Sequence, residues 1–256
     1  MKQVPWIRLA SFASLFAIWV VAAHFLDETV LPGPAVVAKT IWRNLQEGET
    51  YHHIAITLLR VGFGMLLAIG VGLVLGIVMG TTVMGERFFD SWVMVGLTIP
   101  AVIYGIVAIL WFGINDRAAV IAIGISAFPS VAINIWQGVK AIDLSLIQMG
   151  RAFRLRRMSI IRKVVIPQTI PYLMAAVRYA LGISWKIATT IELIGMGSGV
   201  GYMLHHWFGL FSMKQVLAWT LTFTIVLLLI EFLLLKPADR FVTRWRPSVQ
   251  AGGIYQ

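Results

Sequence analysis

The chain contains no cysteine, so disulfides and thiolate metal sites are excluded, and the redox compartment stays open. Charge is scarce too: Asp, Glu, Lys and Arg make up 12% of 256 residues, and only 11 of these are acidic. Set against 59% hydrophobic residues, this leaves too little polar surface to cover a water-soluble globule, which excludes a soluble enzyme. No Gly-x-x-x-x-Gly-Lys-Ser/Thr phosphate loop is present, so an ATP site cannot lie in this chain. Nor does any serine, histidine and acid set or paired acidic cluster recommend a catalytic role.

What is present is a succession of apolar windows of about 20 residues, the length that crosses a bilayer core. They predict an all-α polytopic membrane protein, one transmembrane domain over residues 1–256, with six spans at about 9–26, 61–84, 91–114, 118–139, 172–194 and 215–235. Leu9 to Leu26 is too long for a signal-peptide core and no small-residue cleavage site follows it, so it is read as a retained helix. After Leu31-Pro-Gly-Pro34 comes a short interfacial helix with Val37, Ile41 and Leu45 on one face, while Lys39, Arg43, Asn44 and Glu47 point elsewhere. The second span carries Gly64, Ala68, Gly72, Gly76 and Gly80 at a spacing of four, a stripe that lets another backbone approach and is read as packing within the subunit. Pro100 and Pro129 predict kinks or breaks in the third and fourth spans. A glycine-rich connection from Gly195 to Gly209 joins the fifth span to the sixth.

The net charge of +10 would suggest nucleic acid in a soluble chain, but here it is topological. With the N-terminus inside, fourteen of the 21 Lys and Arg fall on the cytoplasmic side: Lys2, Arg8, Arg87, seven from Lys140 to Lys163, then Lys236, Arg240, Arg244 and Arg246. Four fall outside: Lys39, Arg43, Arg117 and Lys214. Both termini are therefore expected in the cytoplasm.

Residues 140–171 are too polar to cross and too apolar for a simple linker. Leu146, Met149, Gly150 and Phe153 recur at helical spacing, and a second amphipathic turn runs from Met158 to Val165 until Pro167 stops it. Such a protrusion can lie on anionic lipid or dock a soluble partner by helix in groove. The fifth span holds the candidate solute path. Arg178, Gly182, Trp185, Thr189 and Glu192 fall within about 40° of one helical line, with Lys186 about 80° away. Charge at this depth must face protein or water. For Arg178 and Glu192 that includes simple pairing with neighbours; Lys186, nearer mid-membrane, could serve as counter-ion for an anionic solute. The histidine pairs His52-His53 and His205-His206 are read as interfacial, since adjacent histidines do not face one ion.

The segment with Asp143, Leu146, Gln148, Gly150, Arg151, Phe153, Arg154 and the run Arg162-Lys-Val-Val-Ile-Pro167 resembles the cytoplasmic coupling loop of binding-protein-dependent ABC transporter permeases. Gln148-Met149-Gly150 stands where the family has Glu-Ala-Ala, which removes the carboxylate that pairs with its ATPase. Arg154 stands where it has a glycine for a tight turn. Ile99-Pro100, Leu110-Trp-Phe-Gly-Ile114, Thr57-Leu-Leu-Arg-Val61 and Gly199-Val-Gly-Tyr202 are similar to the nitrate/sulfonate/taurine/bicarbonate branch, and the resemblance runs from about residue 9 to 245. It implies the type I ABC importer permease fold, an inner-membrane location, a second permease subunit, identical or related, and two ATPase subunits that bind ATP and Mg. It also implies an extracytoplasmic solute-binding protein. The implied cargo is a small anion or, alternatively, a neutral heterocycle such as a thiamine pyrimidine precursor. No cofactor, metal or nucleic acid is expected on this chain. The rivals are an ion-gradient-driven secondary transporter, which should show an inverted repeat and a mid-depth carboxylate, and a membrane-embedded enzyme.

Overall fold

A computed structural model describes residues 5–242, and all regular structure in that stretch is helical. Lys2, Arg244 and Arg246, counted above for topology, lie outside the described residues, as does the side chain of Arg8. The order is α1 (Pro5–Phe25), α2 (Pro34–Gln46), α3 (Gly48–Thr81), α4 (Val83–Thr98), α5 (Ala101–Phe112) and α6 (Asp116–Lys140), then α7 (Leu144–Ala152), α8 (Arg157–Ile160), α9 (Ile166–Gly195), α10 (Val200–Gly209), α11 (Met213–Ile230) and α12 (Lys236–Val242). Four continuous stretches are long and apolar enough to cross a membrane: Gly48–Thr81, Asp116–Lys140, Arg157–Gly195 and Met213–Val242. α4 and α5 make a fifth only as a pair bent by 96°, and α1 contributes a shorter apolar stretch, Leu9–Phe25.

The centre of the bundle is α3 against α6 and α6 against α9. The small-residue stripe makes the first contact possible. An added Cβ would come within 2.5 Å of Ile123 at Gly64, 2.6 Å of Val131 at Gly72, 2.6 Å of the Ala132 carbonyl at Gly76 and 2.5 Å of Val139 at Gly80. α3 also begins 13 residues before the span expected at Val61. At ~1.5 Å per residue its 34 residues measure about 51 Å, well beyond the ~30 Å hydrocarbon core, so its first turns run past the apolar layer.

Proline acts differently at each position. Ile99 and Pro100 are extended, with ψ of 125° and 134°, and break the third span into two helices. Pro129 stays inside a continuous α6. Pro167, expected to stop a helix, sits within an unbroken 39-residue element. A proline ring presses on the carbonyl four residues back and has no N–H of its own. The chain meets this with a π turn at Ile161–Val165, in which the Ile166 N–H bonds the Ile161 carbonyl five residues back. The same device recurs at Glu231–Leu235, where the Lys236 N–H reaches Glu231 just before Pro237.

Two further expectations change. The Gly195–Gly209 connection is mostly helix, α10. On α2, Asn44 points inward: it is 4% exposed and exchanges both amide bonds with Gln215 of α11, at 2.7 and 3.3 Å. Each amide satisfies the other, which makes an apolar face unnecessary there.

Candidate functional site

The break between α4 and α5 opens a cavity of about 340 Å³ against α6 and α9. The end of α4 from Gly96 to Thr98, the non-helical Ile99 and Pro100 and the start of α5 line one side; α6 contributes Ser126 and Ser130, and α9 contributes Tyr179, Ile183, Lys186 and Ile187. The last four recur at i, i+4, i+7 and i+8, one face of a helix. Gly96 seats the break on α6, since a Cβ there would come 2.8 Å from Pro129 Cγ. Tyr104 braces it by donating to the Gly96 carbonyl at 2.8 Å.

Charge in this cavity has one sign. Lys186 is the sole ionisable side chain apart from the tyrosines in the wall, and it forms no ion pair among the described residues. The Ser130 hydroxyl, on a residue 5% exposed, has no hydrogen-bond partner among the described residues. The first N–H groups of α5 lack intrahelical acceptors and carry the positive end of the helix dipole. An ammonium, a free hydroxyl and a helix N-terminus together favour an anion.

Of the five residues expected along one path on α9, only Lys186 lines this cavity. The others face the C-terminal helices. Arg178 pairs with Asp239 at 3.0 Å and Glu231 at 3.6 Å. Trp185 meets Phe223 edge to face, with ring centroids 6.2 Å apart. Thr189 turns its hydroxyl back to the Trp185 and Lys186 carbonyls, both at 3.0 Å. The line of polar residues is thus a seam with α10, α11 and α12.

Glu192 belongs to a buried hub at the end of the bundle away from α7. Arg60 fans its guanidinium into it: Nε donates to Asp116 (2.8 Å), Nη1 to Glu192 (2.8 Å) and to the Ser198 carbonyl (2.7 Å), and Nη2 to the Ser198 hydroxyl (3.0 Å) while also lying 2.7 Å from Asp116 as an ion pair. Glu192 also accepts from the Thr57 hydroxyl and the Gly201 N–H, each at 2.9 Å. The Val200 N–H donates to Thr57 at 2.8 Å, and the Gly199 N–H donates to His53 Nδ1 at 3.0 Å. The N-terminus of α10 therefore rests on a carboxylate, where its dipole is stabilising. Gly199 makes the approach possible: its φ of 111° is a region L side chains rarely adopt, and a Cβ there would overlap the Glu192 carboxylate. Arg60, just before the span expected from Val61, drew no role from the sequence. A signal existed, because no acidic residue lies between Glu49 and Glu86. Its counter-charge had to come from another helix. His53, read as interfacial, is 4% exposed inside the same hub.

At the opposite end, Asp143 caps α7 by accepting from the Ser145 N–H and hydroxyl at 2.8 and 2.6 Å. Those bonds, the side-chain one foremost, hold its carboxyl below the usual range. The Asp143 N–H bonds Gln168, tying the loop to α9. Gly150 packs against Ile160, and Gln148 and Arg151 are exposed. α7 closes with Leu155 N–H to Gly150 O and Arg154 N–H to Arg151 O, the paired bonds of a Schellman motif. Arg154 occupies its left-handed position at φ 53°. The turn that a glycine would make is therefore made by an arginine. Pro167 lies beyond the π turn, half-buried. Leu146 stands on the exposed side with Leu144, Met149 and Phe153, which is 75% exposed among the described residues.

Comparison with known proteins agrees with this architecture. Residues 68–246 match the family described as binding-protein-dependent transport system inner membrane component. A Bacillus subtilis permease protein named for aliphatic sulfonates transport is 30% identical over 252 residues, covering 97% of this chain and 91% of its own. The Escherichia coli taurine transport system permease protein is 24% identical, covering 97% and 92%. The nitrate import permease protein of Synechococcus elongatus is 28% identical over 73% and 71%. Among solved structures, a chain of the MetNI methionine ABC transporter in an inward-facing conformation superposes with TM-score 0.63 at 20% identity, over 80% of this chain and 99% of that one. A chain of an amino acid ABC transporter gives 0.61 at 18% identity, over 74% and 92%. The fold is the type I importer permease fold, and this multi-pass chain belongs to the family of inner membrane components of binding-protein-dependent transport systems.

Proposed function

We propose that this chain moves a small anion through the cavity at the α4–α5 break, as the permease subunit of an importer driven by a separate ATPase. The observation that carries the anion is the electrostatics of that cavity: Lys186 stands unpaired beside the free Ser130 hydroxyl and the start of α5. Relatives are named for sulfonates, taurine and nitrate, each of which carries an anionic group. The loop of α7 and α8 lies in the cytoplasm, in keeping with the seven basic residues from Lys140 to Lys163. Its exposed Leu144, Met149 and Phe153 dock one ATPase subunit, which binds ATP and Mg. The hub end, with α10 and the Asn115 turn, faces the solute-binding protein. A second permease copy, identical or related, completes the path, and movement of α7 on ATP closure reaches the cavity through the 39-residue rod from Arg157 to Gly195.

An ion-gradient carrier would need an intramembrane carboxylate free to exchange a cation, whereas Glu192 is held by Arg60, Thr57 and Gly201. The test is uptake into proteoliposomes containing this chain and its ATPase, with binding protein outside and ATP inside. Labelled sulfonate, taurine or nitrate should accumulate only when all three are present. Uptake that persists without nucleotide would overturn the reading, and accumulation of only a neutral heterocycle would overturn the anion.

A further inference from the structure

α7 is held against the start of the rod at two points. Near its C-terminus Gly150 packs on Ile160, where an added Cβ would come 3.1 Å from Ile160 Cγ1. At its N-cap the Asp143 N–H donates to Gln168 Oε1 at 2.8 Å. The two contacts run antiparallel, and between them lies the π turn Ile161–Val165, followed at once by Pro167. Gly150 therefore holds the rod before that turn, and Gln168 is held beyond it. A π turn is a place where a helix kinks. A push on α7 that passed only through Ile160 would bend the rod there; passed through Gln168 as well, it reaches the continuous helix of α9.

Gln168 is also poorly explained as a stabilising residue. Its Nε2 is buried and has no hydrogen-bond partner among the described residues, while its Oε1 takes the Asp143 N–H, so turning the amide over would lose the one bond it makes. An unpaired buried donor weakens a fold, and an apolar side chain of the same size would avoid the penalty. Its position on α9 is the third observation. Gln168 and Lys186 are 18 positions apart on one helix, which is about five full turns, so they share one line of α9 at a separation of about 27 Å.

We propose that Gln168 is the positioning residue that carries movement of α7 past the π turn to the Lys186 face of α9. This rests on the reading of α7 as the ATPase dock and names the contact that relays it.

The absence of cysteine makes a background-free test possible. Ile183→Cys places one thiol in the cavity wall next to Lys186, and its rate of modification by a water-soluble maleimide is read in the permease–ATPase complex in nanodiscs, nucleotide-free and trapped with ATP and vanadate. The rate should differ between the two states. Adding Gln168→Met, which keeps the length and removes the acceptor oxygen, should abolish that difference, and Gln168→Glu, which keeps an acceptor, should preserve it. A separate chain carrying a photo-crosslinker on Gln148→Cys reports docking, and its crosslink to the ATPase should survive Gln168→Met. A nucleotide-dependent difference that persists in Gln168→Met, or one lacking even with Gln168 in place, would overturn the relay. So would Gln168→Met losing the crosslink, since the residue would then only hold α7 in shape. If Gln148→Cys with Gln168 intact gives no crosslink to the ATPase, the docking reading itself fails.

Discussion

Neutralising Glu192 tests the hub by the least intrusive change available. Glu192→Gln keeps the volume of a side chain that is 1% exposed but removes the charge facing Arg60, which is 5% exposed. The carboxylate receives Arg60, Thr57 and Gly201, three donors, and an amide must turn its NH₂ toward at least one of them. Breaking one partner of a buried pair costs about 3–5 kcal/mol, and because Asp116 still faces Arg60 the lower end, ~3 kcal/mol, is expected. At roughly 2–4 °C per kcal/mol for a chain of this size, the midpoint should fall by roughly 6–12 °C. The assay is thermal denaturation of the purified protein in nanodiscs, run on Glu192→Gln, Arg60→Met and the double variant. The double should lose clearly less than the sum of the singles, because removing both charges leaves neither stranded. Singles that melt within about a degree of wild type, or a double that is strictly additive, would refute the claim that these two residues form one buried unit.

Gly199→Ala should be at least as damaging, since a residue in sparsely populated backbone space costs about 1–3 kcal/mol before the new Cβ meets Glu192; reduced yield of folded protein and a lower melting point are the readouts. Arg154→Gly should act in the other direction, raising the melting point by relieving about 1 kcal/mol at φ 53° without altering the fold. If the loop of α7 and α8 docks the ATPase as proposed, Arg151→Glu, which reverses an exposed charge there, should lower recovery of the ATPase in co-purification or uncouple its hydrolysis from uptake, while the isolated permease melts as before.

The helices were legible because a bilayer demands long apolar runs, and α6 and α11 start within two residues of the spans expected for them. What stayed hidden depended on partners far away in the chain. Asn44 and Gln215, 171 positions apart, bury each other, and neither shows a sign of it locally. Arg60 meets Asp116 and Glu192 across 56 and 132 positions. The path along α9 was drawn by spacing alone, which finds the residues sharing a line and leaves open what the line faces. Here Trp185 and Arg178 face the C-terminal helices, while Lys186, off that line, meets the cavity. The three prolines at 100, 129 and 167 carry one chemical signal and had three outcomes, because a π turn can absorb at Pro167 what an extended Ile99 resolves as a break at Pro100.

If the Lys186 ammonium holds the travelling anion as proposed, removing its charge must weaken transport. The direct measurement is concentration-dependent uptake of a labelled alkanesulfonate by reconstituted transporter carrying Lys186→Met, beside Lys186→Arg and wild type, with ATPase recovery checked for each. A lost charge-assisted bond of about 1.5–3 kcal/mol predicts a roughly 10- to 100-fold loss in apparent affinity or rate for the methionine variant, with partial retention for arginine. Uptake by Lys186→Met equal to wild type would rule out Lys186 as the counter-ion.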